Sequence, residues 1–389
     1  MMKKTHLTGL NVFGFRPFER LELKNLSRVN LVVGKNSLGK TSLLEAISIF
    51  SAEGSPARIR DLLVNRGEIS LDTRSDADAD SGSAEGFSYE SLFYGRPDLA
   101  EACPSFSIEG KYIEGFFQET HTVTQTLTVK HCQIIDEIDE AEGGRVLRAR
   151  RIMTEEDAEF SGRAYPGLSI QYGERERLVS FGRIENFRRL RSVDSDAHPG
   201  FQFVPAEGLG SDYVSLLWDK IALREEEDIV YEALRLICKD LERVAFVGSP
   251  RDRLRSYGRF ALVKIGRHAM PVPLRSLGEG VNHLFGIAVS LAAARNGFLL
   301  IDEVENGVHY SVMKDLWALI LKQSQDLNVQ VFATTHSLDC IRGFEAAASG
   351  LDAEDASLIR LEGVNGVISG VSFEPDELNL VVEKEIEVR

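Results

Sequence analysis

The spacing of apolar positions changes character several times along the chain, and each change predicts a different kind of element. "HLTGLNVFGF" and "LELKNLSRVNLVVG" carry short apolar runs that predict three strands, the last a buried β-branched run ending at Gly34. Behind a glycine loop, Leu43, Leu44, Ala46, Ile47 and Phe50 fall on a helical period, which predicts a helix from Thr41 to Ile49. Between residues 104 and 185, "SFSIEGKYI", "THTVTQTLTVKH", "GRVLRARRIM" and "LSIQYGERERLVSFG" alternate in part and are rich in Thr, Val, Ile and Tyr. They predict antiparallel strands forming a smaller lobe. From Ser211 to Val244 the spacing turns helical, most clearly in "DIVYEALRLICKDLERV". "RVAFVGS" and "RFALVKIG" predict strands around a basic turn, and Gly280 to Arg295 predicts a helix stopped by Asn296–Gly297.

The remainder alternates strand and helix: "FLLID", "SVMKDLWALILKQSQ", "VQVFATTH", then a hairpin in "SLIRLEGVNGVISGVSF". The tail "FEPDELNLVVEKEIEVR" has the spacing of an amphipathic helix. Alternation at both ends with a β-rich middle implies an α/β fold, with a mostly parallel central sheet assembled from the two ends of the chain. An antiparallel β-rich lobe and a helical segment complete it. The expected parts are 1–65, a variable acidic region 66–103, a β-rich lobe 104–200, a helical insert 201–270 and a C-terminal part 271–389. Inside the second part, "DTRSDADADSGSAEG" has almost nothing to bury and reads as a mobile surface loop.

Composition narrows the picture in three ways. No apolar run approaches the roughly 18 residues of a membrane span, and "MMKKTHLTGL" lacks a hydrophobic signal core, so the expected location is cytoplasmic with no membrane partner. The four cysteines, Cys103, Cys132, Cys238 and Cys340, are scattered without a CxxC pair. That pattern suits small core residues in a reducing compartment and argues against zinc. The formal net charge is −15. A protein that grips duplex DNA along a broad face carries a cationic surplus, so nucleic-acid contact here would be local or supplied by a partner.

The candidate chemistry starts in "GKNSLGKT", which fits G-x-x-x-x-G-K-[ST] at Gly34, Gly39, Lys40 and Thr41. Such a loop curls so that successive backbone N–H groups face phosphate oxygens, with a helix N-terminus behind them. The expected phosphate-binding residues are Gly34, Lys35, Asn36, Ser37, Leu38, Gly39, Lys40, Thr41 and Ser42. Lys40 would bridge the β- and γ-phosphates and the Thr41 hydroxyl would bind magnesium. "FLLI" then delivers Asp302 and Glu303 to a strand end: the first acid to hold the magnesium, the second to polarise the attacking water. His336 follows the next buried strand, where it can sense a γ-phosphate. "RSLGEG" places Ser276 and Gly278 at a helix N-terminus, a second phosphate-binding edge.

These four pieces, in this order, resemble the ATP-binding-cassette (ABC) ATPase superfamily in its non-transporter branch. "GKNSLGKT" resembles the Walker A loop, "FLLIDE" Walker B, "THS" the histidine switch and "RSLGEG" the signature motif, with Arg275 where leucine is usual. Ser37 and Leu38 stand where Gly-Ser is common in the loop. The opening "GLNVFGFRPFERLELKNLSRVNLVVGKNSLGKTSLLEAI", with "LLIDEVENGVHY" and "VFATTHS", is similar to RecF-type proteins and to the overcoming-lysogenisation-defect (OLD) family. No glutamine is assigned to the family's glutamine loop.

The resemblance implies ATP and Mg2+, slow hydrolysis in an isolated monomer, and a homodimer or higher homo-oligomer closed around two nucleotides. Ser276 and Gly278 then act in trans. OLD-type proteins usually continue into a Toprim nuclease domain, for which the roughly 50 residues after His336 leave no room. The expected partner is therefore a separately encoded effector, a nuclease of Toprim type, in bacterial defence against phage. The alternative is a RecF-like DNA clamp in repair, touching phosphates through Arg188, Arg189 and Arg191 or through Arg251, Arg253, Arg255 and Arg259. The surplus of acids favours ion pairing of these arginines instead. A transporter subunit is disfavoured by the long β-rich insertion, and long coiled coils by the lack of heptads.

Overall fold

The computed structural model describes residues 6–70, 86–116, 119–141, 145–154, 157, 164–181, 200–248, 258–266 and 270–378. The chain opens with β1 (Leu7–Phe15), β2 (Phe18–Lys24) and β3 (Val29–Gly34), then α1 (Lys40–Ser51) and α2 (Pro56–Asn65). The short pair β4 (Ile69–Ser70) and β5 (Gly86–Phe87) leads to β6 (Ser105–Phe116), β7 (Glu119–Ala141), β8 (Arg145–Ile152), β9 (Ala164–Tyr172) and β10 (Arg175–Ser180). Next come β11 (Phe201–Val204), α3 (Ser211–Ile221), α4 (Glu227–Arg235), β12 (Leu241–Gly248), β13 (Arg259–Ile265) and β14 (Val272–Pro273). The last part runs α5 (Glu279–Ala293), β15 (Phe298–Ile301), α6 (Met313–Asp326), β16 (Gln330–Thr334), α7 (Leu338–Ala348), β17 (Ala356–Val364) and β18 (Val367–Phe373).

One sheet has the order β11-β15-β16-β3-β17-β18. Every neighbouring pair up to β17 is parallel and only the edge strand β18 is antiparallel. β3 comes from the start of the chain and its neighbours β16 and β17 from the end, as the alternation at both ends predicts. The second sheet is antiparallel, ordered β10-β9-β7-β6-β1-β2 with β8 paired to β7. Thus β1 and β2 join the β-rich lobe, while β11 leaves its sequence neighbours for the parallel sheet. Neither assignment follows from local periodicity, because strand pairing across more than 90 residues leaves no local mark.

Two cores flank the parallel sheet. Alternate residues of β3 point into different ones: Val29, Leu31 and Val33 into the core shared with α3, α4, α5, α6 and α7, and Val32 into the other. In that second core α1 lies against the antiparallel sheet with Leu43, Leu44, Ala46, Ile47, Ile49 and Phe50 all fully buried. Ser42, Glu45 and Ser48 of α1 are buried as well, so the helix is covered on every side and joins the two sheets.

Several expectations need correcting. The helical reading of "DIVYEALRLICKDLERV" runs too far, since α4 ends at Arg235 and Leu241 already starts β12. Leu241 and Val244 keep apolar spacing by inserting into the same core from a strand, so periodicity alone does not separate the two elements. Of the cysteines, Cys132 and Cys340 are buried but Cys103 is exposed, so it is not a core residue. The acidic stretch from Asp72 to Glu85, the clusters Arg188, Arg189, Arg191 and Arg251, Arg253, Arg255, and most of the tail lie outside the described residues. Among the described residues, no helix is long and apolar enough to cross a membrane.

Candidate functional site

The C-terminal ends of the parallel strands share one edge, where ligands bind in open α/β sheets. β3 releases the chain at Gly34, with φ 144° and Leu361 O 2.6 Å from where a Cβ would stand. Only glycine fits between β3 and β17 at that point. The loop returns at Gly39, φ 84°, whose added Cβ would lie 2.8 Å from both Pro17 Cγ and Phe18 Cζ. The β1–β2 turn therefore forms one wall of the loop. Ser37 has φ 68°, a left-handed conformation in the position where the resembled motif carries glycine. Leu38 points the other way, toward Gly363 at the β17–β18 end.

Lys40 begins α1 and is 6% exposed. Its Nζ donates to Gly34 O at 2.7 Å and Lys35 O at 3.2 Å, and among the described residues no carboxylate lies within ion-pair distance. Burial pulls its pKa below the ordinary lysine value, opposed by the fields of Asp302, Glu303 and Glu305. Lys40 thus lies buried at the loop, its hydrogen bonds made to main-chain carbonyls, and a cation so placed suits a phosphate. Thr41 Oγ1 donates to Asp302 Oδ2 at 2.9 Å, across 261 residues of sequence. Asp302, 8% exposed, also accepts from Thr334 Oγ1 at 2.5 Å. Thr334 in turn accepts from Glu303 N at 2.9 Å, so β16 fixes the end of β15. A hydroxyl beside a carboxylate is the oxygen donor pair that Mg2+ takes, with water filling its other positions.

Glu303 Oε1 lies 3.8 Å from His336 Nε2, and Glu303 Oε2 accepts from Asn306 Nδ2 at 2.8 Å. The His336 main-chain N–H donates to Glu305 Oε1 at 2.8 Å, which ties the two strand ends together. Asn36, Ser37, Gly39, Lys40, Thr41, Ser42, Glu303 and His336 all line one cavity of about 600 Å³. Gly34 and Lys35 reach it through the carbonyls that hold Lys40. Ser276 and Gly278 do not line it: both are exposed, in the turn before α5. That turn nevertheless packs closely on the loop after β15, because a Cβ on Gly280 would stand 1.9 Å from Gly307 O.

The cavity also has a wall that sequence reasoning missed, made by Arg16, Pro17, Arg66, Ser91, Phe93 and Arg96. Arg66 donates to Glu45 at 2.7 and 3.0 Å and to Ser42 Oγ at 3.2 Å. Arg16 donates to both oxygens of Glu68 at 3.1 Å, and its Nε sits 2.8 Å from Glu45 Oε2 without hydrogen-bond alignment. Arg96 reaches Glu68 at 3.1 Å. Burial raises the Glu45 pKa, with Arg16 and Arg66 opposing it, whereas Glu68 is net lowered because its arginine and Ser91 bonds outweigh its own desolvation. Three guanidiniums against two carboxylates leave this wall cationic, suited to a polyanion. The sequence singles out none of them, although Arg16 and Pro17 lie inside the RecF-like opening.

Comparison with known proteins places the chain among relatives and folds. A family model described as "AAA domain, putative AbiEii toxin, Type IV TA system" matches residues 178–339, and one for a protein of unknown function (DUF2813) matches residues 5–58. Uncharacterized protein MJECL11 of Methanocaldococcus jannaschii is 36% identical over 99 residues, 25% of this chain and 87% of that protein. An ATP/GTP phosphatase of Helicobacter pylori is 39% identical over 77 residues, 18% of this chain and 20% of that one. The DNA replication and repair protein RecF of Rickettsia conorii is 45% identical over 49 residues, 13% of this chain and 14% of RecF. The chain thus spans a fifth or less of those last two relatives. Among solved structures, an SmcHead bound to the C-winged helix domain of ScpA matches at TM-score 0.50 and 14% identity, covering 95% of this chain and 98% of that one. The chain belongs to the family of the Methanocaldococcus protein, and it has the fold of an ABC-type P-loop ATPase of the SMC-head kind, related in sequence to RecF.

Proposed function

We propose that this chain is an ATP-hydrolysing head that dimerises around ATP. One observation carries the reading: Thr41, the Asp302–Glu303 pair and His336, from three distant stretches, converge around the buried Lys40 at one cavity. ATP is the substrate. The loop N–H groups and the start of α1 hold its phosphates, while Lys40 gives up its carbonyls to bridge the β- and γ-phosphates. Thr41 and Asp302 would hold Mg2+, which would supply charge neutralisation at the phosphate oxygens. Glu303 accepts a proton from the attacking water, whose oxygen bonds to the γ-phosphorus as the bond to the β-phosphate bridge breaks. ADP and inorganic phosphate leave. His336 stands where it can contact the γ-phosphate and register its loss.

Ser276 and Gly278 suit a role in trans, since they are exposed at the N-terminus of α5 and lie outside their own chain's cavity. The γ-phosphate then bridges two copies, and its hydrolysis lets them part. The output of this switch is control of a separately encoded effector, a nuclease of Toprim type, in defence against phage. Replacing Lys40 tests the core of the reading. Lys40→Ala removes a charge-assisted bond of about 1.5–3 kcal/mol and is expected to weaken ATP binding by roughly 10- to 150-fold in calorimetry. Unchanged affinity would refute the phosphate-loop assignment.

A second reading, a RecF-like DNA clamp, is favoured by the RecF likeness alone. Arg259, the described member of its arginine clusters, is paired to Asp219 and lies over Phe246. ATP-dependent DNA affinity that falls steeply with salt would revive it. The neighbouring gene separates the two: a nuclease gene favours the first, a repair operon the second.

A further inference from the structure

Glu303 has φ 51°, a left-handed conformation that costs a non-glycine residue about 1–2 kcal/mol. Its surroundings hold it there. The Glu303 N–H is spent on Thr334, and the Asn306 N–H donates back to Glu303 O at 3.0 Å, closing a turn over Glu303–Asn306. Inside that turn Asn306 Nδ2 donates twice, to Glu303 Oε2 at 2.8 Å and to Ala206 O at 3.0 Å. Both partners are acceptors, so the amide's orientation follows from them. Ala206 belongs to a turn beyond β11 closed by Gly208 N–H to Pro205 O at 2.8 Å. Asn306 is therefore anchored on one side by main chain and grips one carboxylate oxygen on the other. Glu303 Oε1, on the His336 side at 3.8 Å from Nε2, is the oxygen left for water.

We propose that Asn306 is a positioning residue for ATP hydrolysis, fixing the Glu303 carboxylate so that Oε1 alone faces the attacking water. The inference rests on the reading of Glu303 as the proton acceptor. An uncharged double donor suits the task, because it locks the carboxylate without competing for the water's proton. Aspartate here would replace the donor with a second carboxylate that repels Glu303 Oε2 instead of holding it.

The test compares kcat and KM for ATP hydrolysis by the full chain and by Asn306→Ala, Asn306→Asp and Glu303→Gln. Asn306→Ala is expected to lower kcat about tenfold to a hundredfold with KM little changed, the usual loss when a ligand-orienting partner is removed. Asn306→Asp, which swaps the donor for a like charge, is expected to lower kcat at least as far. A kcat within about twofold of the parent in either variant, or a raised KM with kcat unchanged, overturns the inference. Loss of folding by circular dichroism in both variants also overturns it, in favour of a structural role for the Ala206 bond. Should Glu303→Gln hydrolyse ATP like the parent, the underlying reading fails instead.

Discussion

Gly39→Ala is the sharpest perturbation of the loop because two separate costs can be told apart. The first is conformational: an L side chain at φ 84° pays about 1–2 kcal/mol. The second is steric: the new Cβ would meet Pro17 Cγ and Phe18 Cζ at 2.8 Å, and overpacking of this kind costs about 1–3 kcal/mol. Against these stands a gain of about 0.4–1 kcal/mol from a stiffer unfolded chain. Gly95 supplies the control, with φ 77° and no atom within 4 Å of an added Cβ. Gly95→Ala pays the first cost and takes the same gain but meets no wall. In urea unfolding read by linear extrapolation, Gly39→Ala should be less stable than Gly95→Ala by about 1–3 kcal/mol. Equal stabilities of the two variants would refute the claim that the β1–β2 turn walls the phosphate loop.

Two further outcomes follow from other parts of the molecule. Gly280→Ala drives a Cβ to 1.9 Å from Gly307 O, where only main chain can yield, so a loss of about 3 kcal/mol or more in urea unfolding is expected; a change under about 0.5 kcal/mol contradicts the backbone contact. His6 accepts from Arg28 Nη1 at 3.2 Å, and burial, then the Arg28 charge, lowers its pKa to about 4. The folded state thus excludes a proton that the unfolded state binds below its ordinary 6.5. Stability is present above that value and is lost as pH falls toward 4, by up to about 3 kcal/mol. His6→Gln should flatten the slope in that window, and an unchanged slope sinks the assignment.

Much of the site was legible because its chemistry is tied to strand ends. A buried apolar run followed at once by Asp302, or by Thr335 and His336, states in the sequence itself that the polar residue emerges at a sheet edge. The glycine spacing from Gly34 to Gly39 is equally local, since each glycine answers to a backbone conformation. What stayed hidden depends on pairing between distant segments. Arg16, Arg66 and Arg96 reach the cavity only because β1 and β2 fold onto the antiparallel sheet and α2 follows α1 back across it. Asn306 is an ordinary loop residue until its amide is seen between Glu303 and Ala206. The end of α4 leaves no periodic mark for a related reason: Leu241 and Val244 bury in the same core whether helix or strand presents them.

The most direct test of nucleotide-driven pairing is the molar mass of Glu303→Gln with Mg-ATP by light scattering. The amide keeps the shape of the side chain but cannot accept the water's proton, so ATP persists and two heads stay closed. A mass of twice the 43.2 kDa chain, falling to one chain when ADP replaces ATP, is the expected result. A variant that binds ATP yet keeps the mass of a single chain would contradict the account.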